Sequence, residues 1–215
     1  MSRILVFSPY ARITFHTNYE TTIARACQMR GAEIKYVLCD GMFAECDMHH
    51  GVMTGAGRPF DICSGCQATA KATIDRAGMA YEWLSKYVEP DEVQAIFEWA
   101  QTLNPAEFAS ARYRGYPIGE WIVSSVASYF RISETDLKDW QTVNVSRGFL
   151  QAAAVTCVGL DRLLDDWRPD SMLIFNGRWS VLRVAFNLVR MRGIRVLVHE
   201  RERGRGSPHG VNPTA

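Results

Sequence analysis

Residues 3–38 read RILVFSPYARITFHTNYETTIARACQMRGAEIKYVL, and this stretch decides the fold. Arg3 to Ser8 is a continuous apolar run stopped by Pro9, the pattern of a parallel strand buried on both faces. ARITFHTN follows as a loop. Thr17 and Glu20 have capping-box spacing for a helix from about Asn18 to Arg30, with Ile23, Ala26 and Cys27 on its inner face and Gly31 ending it. Ala32 to Leu38 then reads as a second strand. Strand, helix and strand in so short a span form a βαβ unit, whose crossover is right-handed.

The same rhythm returns near the C-terminus. SMLIFNG reads as a strand, RWSVLRVAFNLVRMRG as a helix with Val181, Val184, Ala185 and Leu188 on one side, and IRVLVHE as another strand. Between the two α/β parts, residues 67–167 look wholly helical. The segments are ATAKATIDRAGMAYEWLSKYV, DEVQAIFEWAQTL capped by Asp91, PIGEWIVSSVASYFRI, and a long helix starting at a Ser133 cap and running to Trp167. The expected fold is a Rossmann-like, doubly wound parallel sheet with a large helical insertion between its second and third strands. It forms one domain over residues 1–200, with a flexible tail at 201–215.

Composition narrows the function classes. Apolar residues make up 47% of the 215 and charged residues 22%, normal for a globular core. A net charge of +1 gives no bulk field for nucleic acid. The basic run RERGRG, from Arg201 to Gly206, reads as solvated tail. ILVF and MLIF are strand-sized, well short of the ~18 apolar residues of a spanning helix. The N-terminus lacks the pattern of a signal peptide, so a cytoplasmic chain with reduced thiols is expected.

The loop after the second strand holds the sharpest motif: Cys39, Cys46, Cys63 and Cys66, spaced C-x6-C-x16-C-x2-C. A C-x2-C pair lets two thiolates meet one ion across a tight turn, and two more would complete a tetrahedral shell. Structural zinc suits four thiolates, and an iron–sulfur cluster uses the same number. His49 or His50 is able to replace one of them. The pattern equally suits a redox pair in CSGC, or four independently buried cysteines.

A second constellation sits at the expected carboxyl ends of the strands, where open α/β sheets bind ligands. Asn176 and Gly177 form a strand-to-helix turn, Arg178 adds a positive charge beside a helix N-terminus, and His16 and His199 share the rim with Glu200 to orient them. YRGYPIGEW adds Arg114 and Tyr116, which suit a phosphate grip and a sugar-stacking ring, the aromatics suiting plugs of the core as well.

Taken together, LCDG, CSGC, YRGYPIGEW and IFNGRWSVLRVAFNLVRMRGIRVLVHE resemble the N-terminal half of capsule or surface-polysaccharide biosynthesis proteins related to GT-B glycosyltransferases. The resemblance implies an acceptor-binding domain for a saccharide or lipid-linked glycan, with His16 as the base that takes the acceptor hydroxyl's proton. It also implies a nucleotide-sugar donor held by a separate donor-binding domain or subunit, and a structural role for the cysteine site. The rival reading is a metal- or iron–sulfur-binding α/β module in redox chemistry or protein interaction.

Overall fold

In the computed structural model, which describes residues 1–49, 59–131 and 135–200, the strand β1 (Arg3–Ser8) is central. On one side it runs parallel to β2 (Glu33–Leu38), Arg3 opposite Glu33 and Ser8 opposite Leu38. On the other it pairs with β4 (Ser171–Phe175), which pairs with β5 (Arg195–His199). A two-residue strand, β3 (Glu82–Trp83), extends the sheet beyond β2. The order is β3-β2-β1-β4-β5 and every pairing is parallel. The expected Rossmann-like α/β fold is the one observed. The direction of winding reverses between β1 and β4, so their carboxyl ends flank the crevice where such sheets take ligands.

Helices cover both faces. α1 (Thr14–Met29) and α2 (Pro59–Arg76) pack Ala24, Ala70 and Ile74 against Val6, Tyr36, Leu38 and Leu173. The opposite face carries α3 (Pro90–Thr102), α4 (Ile118–Phe130), α5 (Trp140–Trp167) and α6 (Ser180–Met191). There Leu5, Phe7, Met172 and Ile174 join Val181, Val184, Ala185 and Leu188, the inner side expected for α6. α5 is the spine of this layer, buried at every residue from Phe149 to Leu160. Gly159 lets the turn at Leu84–Tyr87 press on it, since a Cβ there would meet Leu84 Cδ1 at 2.8 Å.

Several local expectations are corrected. α1 begins at Thr14, so His16 lies in a helix and not on a loop. Its buried side is His16, Thr17, Glu20, Thr21 and Ala24, while Ile23 is 39% exposed. The helix turns a polar face inward because Glu20 and His16 find partners at the strand ends, and Glu20 caps nothing. Residues 68–88 are not one helix: α2 starts earlier and ends at Arg76, and the edge strand β3 follows. The expected Asp91 cap gives way to Glu89, whose N–H donates to Glu92 Oε2 at 3.2 Å, with Pro90 opening the helix. Ser133 lies outside the described residues. α5 is capped instead by Asp139, which accepts from the Thr142 N–H at 2.8 Å. Among the described residues, no helix is long and apolar enough to cross a membrane.

Candidate functional site

Glu20 reaches from the inner face of α1 to the carboxyl ends of the strands and is only 1% exposed. Its Oε2 accepts from Ser8 Oγ at 2.5 Å and from Tyr36 Oη at 3.0 Å, and its Oε1 lies 3.1 Å from His199 Nε2. One carboxylate thus gathers groups from β1, β2 and β5. A buried charge survives only when paired and hydrogen-bonded in this way. His16 lies alongside, stacked on Phe175 with ring centroids 3.4 Å apart and 5.7 Å from the His199 ring. Beside this cluster is a small cavity lined by Ser8, His16, Glu20 and Phe175.

The other predicted rim residues serve the chain itself. Asn176 Oδ1 accepts from the Arg178 N–H at 2.9 Å, closing a turn in which Asn176 and Gly177 both have positive φ, 37° and 62°. Arg178 pairs with Glu200, so the carboxylate that orients His199 is Glu20. Arg114 and Tyr116 are not brought to this rim. Tyr116 donates to Asp161 at 2.9 Å, Asp161 pairs with Arg192 just before β5, and Arg114 reaches Glu92 at 3.4 Å. That places them towards the amino-terminal end of the sheet.

The four cysteines of the C-x6-C-x16-C-x2-C motif do converge. Cys39, Cys46, Cys63 and Cys66 line one small cavity, whose wall at Pro9 and Tyr10 is shared with the first. CSGC lies within α2, which puts Cys63 and Gln67 one turn apart on the side facing the cavity. Opposite them stands the loop after β2, fastened at several points. Ala44 N–H donates to Gln151 Oε1 at 2.8 Å and Gln151 Nε2 donates to the Met42 carbonyl at 3.2 Å. Asp47 Oδ2 accepts from Tyr10 Oη at 2.7 Å and from Ser180 Oγ at 2.6 Å. Gly148 lets the loop approach α5: a Cβ there would stand 2.6 Å from Glu45 Cβ.

That anchored loop presents a relay. Glu45 Oε1 lies 2.8 Å from His49 Nδ1, and His49 Nε2 lies 3.4 Å from Cys63 Sγ. Burial works against a charged His49 ring, yet hydrogen bonds with Cys46, Cys63 and Glu45 outweigh it and push the group up to about 12. Burial raises Cys39 and Cys46, and carries Cys66 up to about 11 despite a backbone hydrogen bond from Arg12. These three are therefore neutral thiols at physiological pH. Cys63 is half-buried and sits at the end of the relay.

The metal-anchored module expected from these cysteines is corrected. Among the described residues, no group of three or more His, Cys, Asp or Glu side chains is able to hold a metal ion. The thiols face one space without forming a coordination shell, and His49 is engaged by Glu45. His50 lies outside the described residues. Composition did not flag Ser8, Glu20, Tyr36, Glu45, Asp47 or Gln67. The signals were there in spacing: His16 and Glu20 are four apart on one helix, as are Cys63 and Gln67.

No family model matches the sequence, and no curated protein matches it. In fold the chain is similar to a CDPS (cyclodipeptide synthase) from Fluoribacter dumoffii, with a TM-score of 0.52 and 9% identity over 92% of this chain and 88% of that one. A tyrosyl-tRNA synthetase from Archaeoglobus fulgidus, solved with L-tyrosine, has a TM-score of 0.40 and 15% identity over 90% of this chain and 52% of that one, too weak a likeness to build on. The expected kinship with capsule and GT-B glycosyltransferase proteins is overturned: no family model or curated sequence supports it, and the fold neighbour is a cyclodipeptide synthase. The acceptor-binding glycosyltransferase function falls with it. In place of the sugar-binding turn read from FNGR, the structure has a self-contained Asn176 turn.

Proposed function

We propose that the chain is an acyl-transfer enzyme with Cys63 as its nucleophile, His49 as proton carrier and Glu45 as the group that orients His49. The carrying observation is the relay itself: His49 Nε2 at 3.4 Å from Cys63 Sγ and His49 Nδ1 at 2.8 Å from Glu45 Oε1, on the wall of a cavity. A nucleophile, a base within reach and a third group holding the base are the parts such chemistry needs.

The step balances without a cofactor. Because His49 already holds its proton, the proposed pair reacts as thiolate and imidazolium, and the Cys63 sulfur attacks the carbonyl carbon of an activated ester or thioester. The tetrahedral adduct collapses, the carbon–oxygen or carbon–sulfur bond to the leaving group breaks, and His49 gives its proton to the departing alcohol or thiol. An incoming amine, alcohol or water then attacks the Cys63 thioester, giving its proton to the now neutral His49 and restoring the starting pair. Gln67, one turn along α2 and on the same cavity, is placed to donate its Nε2–H to the developing oxyanion. Gly41 keeps the approach open: a Cβ there would stand 3.0 Å from Gln67 Nε2 and 3.8 Å from Cys63 Sγ. The fold neighbour is named as a synthase of cyclic dipeptides, and forming amides from activated acyl groups is one instance of this chemistry.

The test is a p-nitrophenyl acetate burst followed by intact-mass and peptide analysis. One acetyl group on Cys63 is expected, with the burst absent in Cys63→Ala and slowed ~10²-fold or more in His49→Ala. A burst unchanged in both variants would refute the proposal.

A further inference from the structure

We propose that Cys63 is also a redox site: hydroperoxides oxidise it, and Cys46 closes a disulfide onto it. This rests on the reading of Cys63 as the nucleophile. Acyl transfer at Cys63 gives no task to Cys39, Cys46 or Cys66, although all three line the same cavity. Cys66 lies three residues along the same helix. Side chains so spaced keep their Cβ atoms ~5–6 Å apart, whereas a disulfide needs ~3.5–4.5 Å, so Cys66 reaches Cys63 only if α2 unwinds. Cys39 is held by its own loop, its Sγ accepting from the Gly41 N–H at 3.3 Å. Cys46 stands on the anchored loop opposite α2. Its neighbours Glu45 and Asp47 are pinned, the first by His49 and the second by Tyr10 and Ser180, which gives the thiol a fixed place. His49 hydrogen-bonds with both Cys46 and Cys63, so one imidazole sits against the two thiols.

Peroxide chemistry selects an accessible thiolate poised next to a second cysteine. Cys63 is half-buried, so an oxidant from solvent has access to it. The thiolate attacks one oxygen of hydrogen peroxide. A sulfur–oxygen bond forms, the oxygen–oxygen bond breaks, and the departing hydroxide takes the His49 proton and leaves as water. Sulfur is oxidised to a sulfenic acid and the peroxide is reduced. The Cys46 sulfur then attacks the sulfenyl sulfur, its proton passing through the now neutral His49 to the departing hydroxyl, which leaves as a second water. Two thiols and one peroxide become one disulfide and two waters. Oxidation removes the nucleophile and stops acyl transfer. A dithiol reverses it by exchange, itself becoming a cyclic disulfide.

The experiment treats the full, reduced chain with stoichiometric hydrogen peroxide, blocks the remaining thiols with N-ethylmaleimide and maps the peptides without reduction. A Cys46–Cys63 cross-link should dominate. The p-nitrophenyl acetate burst should disappear as it forms and return on dithiothreitol. In Cys46→Ser, oxidation should stop at a Cys63 sulfenic acid that dimedone traps, and His49→Ala should slow the first step ~10²-fold or more. A Cys63–Cys66 or Cys63–Cys39 cross-link in its place, or a wild-type sulfenic acid that stays open, overturns the inference. The wild-type map decides this even where a variant fails to fold. A burst from the reduced protein with no Cys46–Cys63 cross-link sinks the redox site and keeps the acyl-transfer nucleophile. A cross-link in protein that gives no burst does the reverse. Absence of both would sink both.

Discussion

Gly148→Ala separates the loop's attachment from the helix that carries it. In a helix interior alanine is worth ~1 kcal/mol over glycine, so propensity alone predicts a more stable protein. The structure predicts otherwise. The new Cβ would stand 2.6 Å from Glu45 Cβ, whereas ordinary carbon contacts lie at ~3.5–4.0 Å, so Glu45 must retreat by about 1 Å. Overpacking of that kind costs ~1–3 kcal/mol. Set against the helix gain, the net change is a loss of about 0–2 kcal/mol. The larger effect falls on the relay. A retreat of that size stretches the 2.8 Å Glu45–His49 hydrogen bond beyond useful length, so His49 loses its orientation towards Cys63. Urea unfolding followed by tryptophan fluorescence gives the first quantity, and the rate of Cys63 alkylation by iodoacetamide gives the second. Alkylation should slow ~10-fold or more with little change in unfolding midpoint. A variant stabilised by ~1 kcal/mol with unchanged Cys63 reactivity would refute the reasoning.

Two further outcomes follow from buried and paired charges elsewhere. Glu20→Ala strands Ser8, Tyr36 and His199 without their acceptor; at ~1–3 kcal/mol for each buried group the loss is about 3–9 kcal/mol, read as a large fall in urea midpoint. Tyr36→Phe removes one donor and leaves Glu20 with two others, so it should cost only ~1 kcal/mol, and equal losses in the two variants would contradict the picture. Burial would raise the Glu82 carboxyl, but hydrogen bonds from Lys86, Tyr87 and Lys35 hold it at about 2. A folded value below the unfolded one stabilises above the unfolded value and is lost as pH falls from about 4.5 towards 2. Unfolding free energy should therefore drop through that window, and less steeply in Glu82→Gln. Parallel pH curves for the two proteins would dismiss the pairing.

The sheet was legible because its signals are local. Apolar runs ended by Pro9 or by Asn176–Gly177 mark strands buried on both faces, and the stripe Val181, Val184, Ala185 and Leu188 fixes α6. β3 was not legible, since two residues leave no period to detect and only the neighbouring Val37 and Leu38 pair with them. α1 misled for a different reason. Its inner face is polar because Glu20 and His16 find partners on residues distant in sequence, so hydrophobic periodicity selected the exposed Ile23 instead. Convergence of the four cysteines was readable from their spacing, but their chemistry was not. The choice between a coordination shell and a nucleophile with a histidine turns on where Glu45 and His49 point, and that is fixed by Gln151, Ser180 and Gly148, more than a hundred residues away.

Competitive labelling of the six cysteines tests the account most directly. Native protein is treated with substoichiometric iodoacetamide, and each thiol is quantified by peptide mapping in the wild type and in His49→Ala. Cys63 should carry most of the label, ahead of Cys39, Cys46 and Cys66, and should lose that lead when His49 is removed. Labelling led by another of the cavity thiols, or a Cys63 rate indifferent to His49, would contradict it.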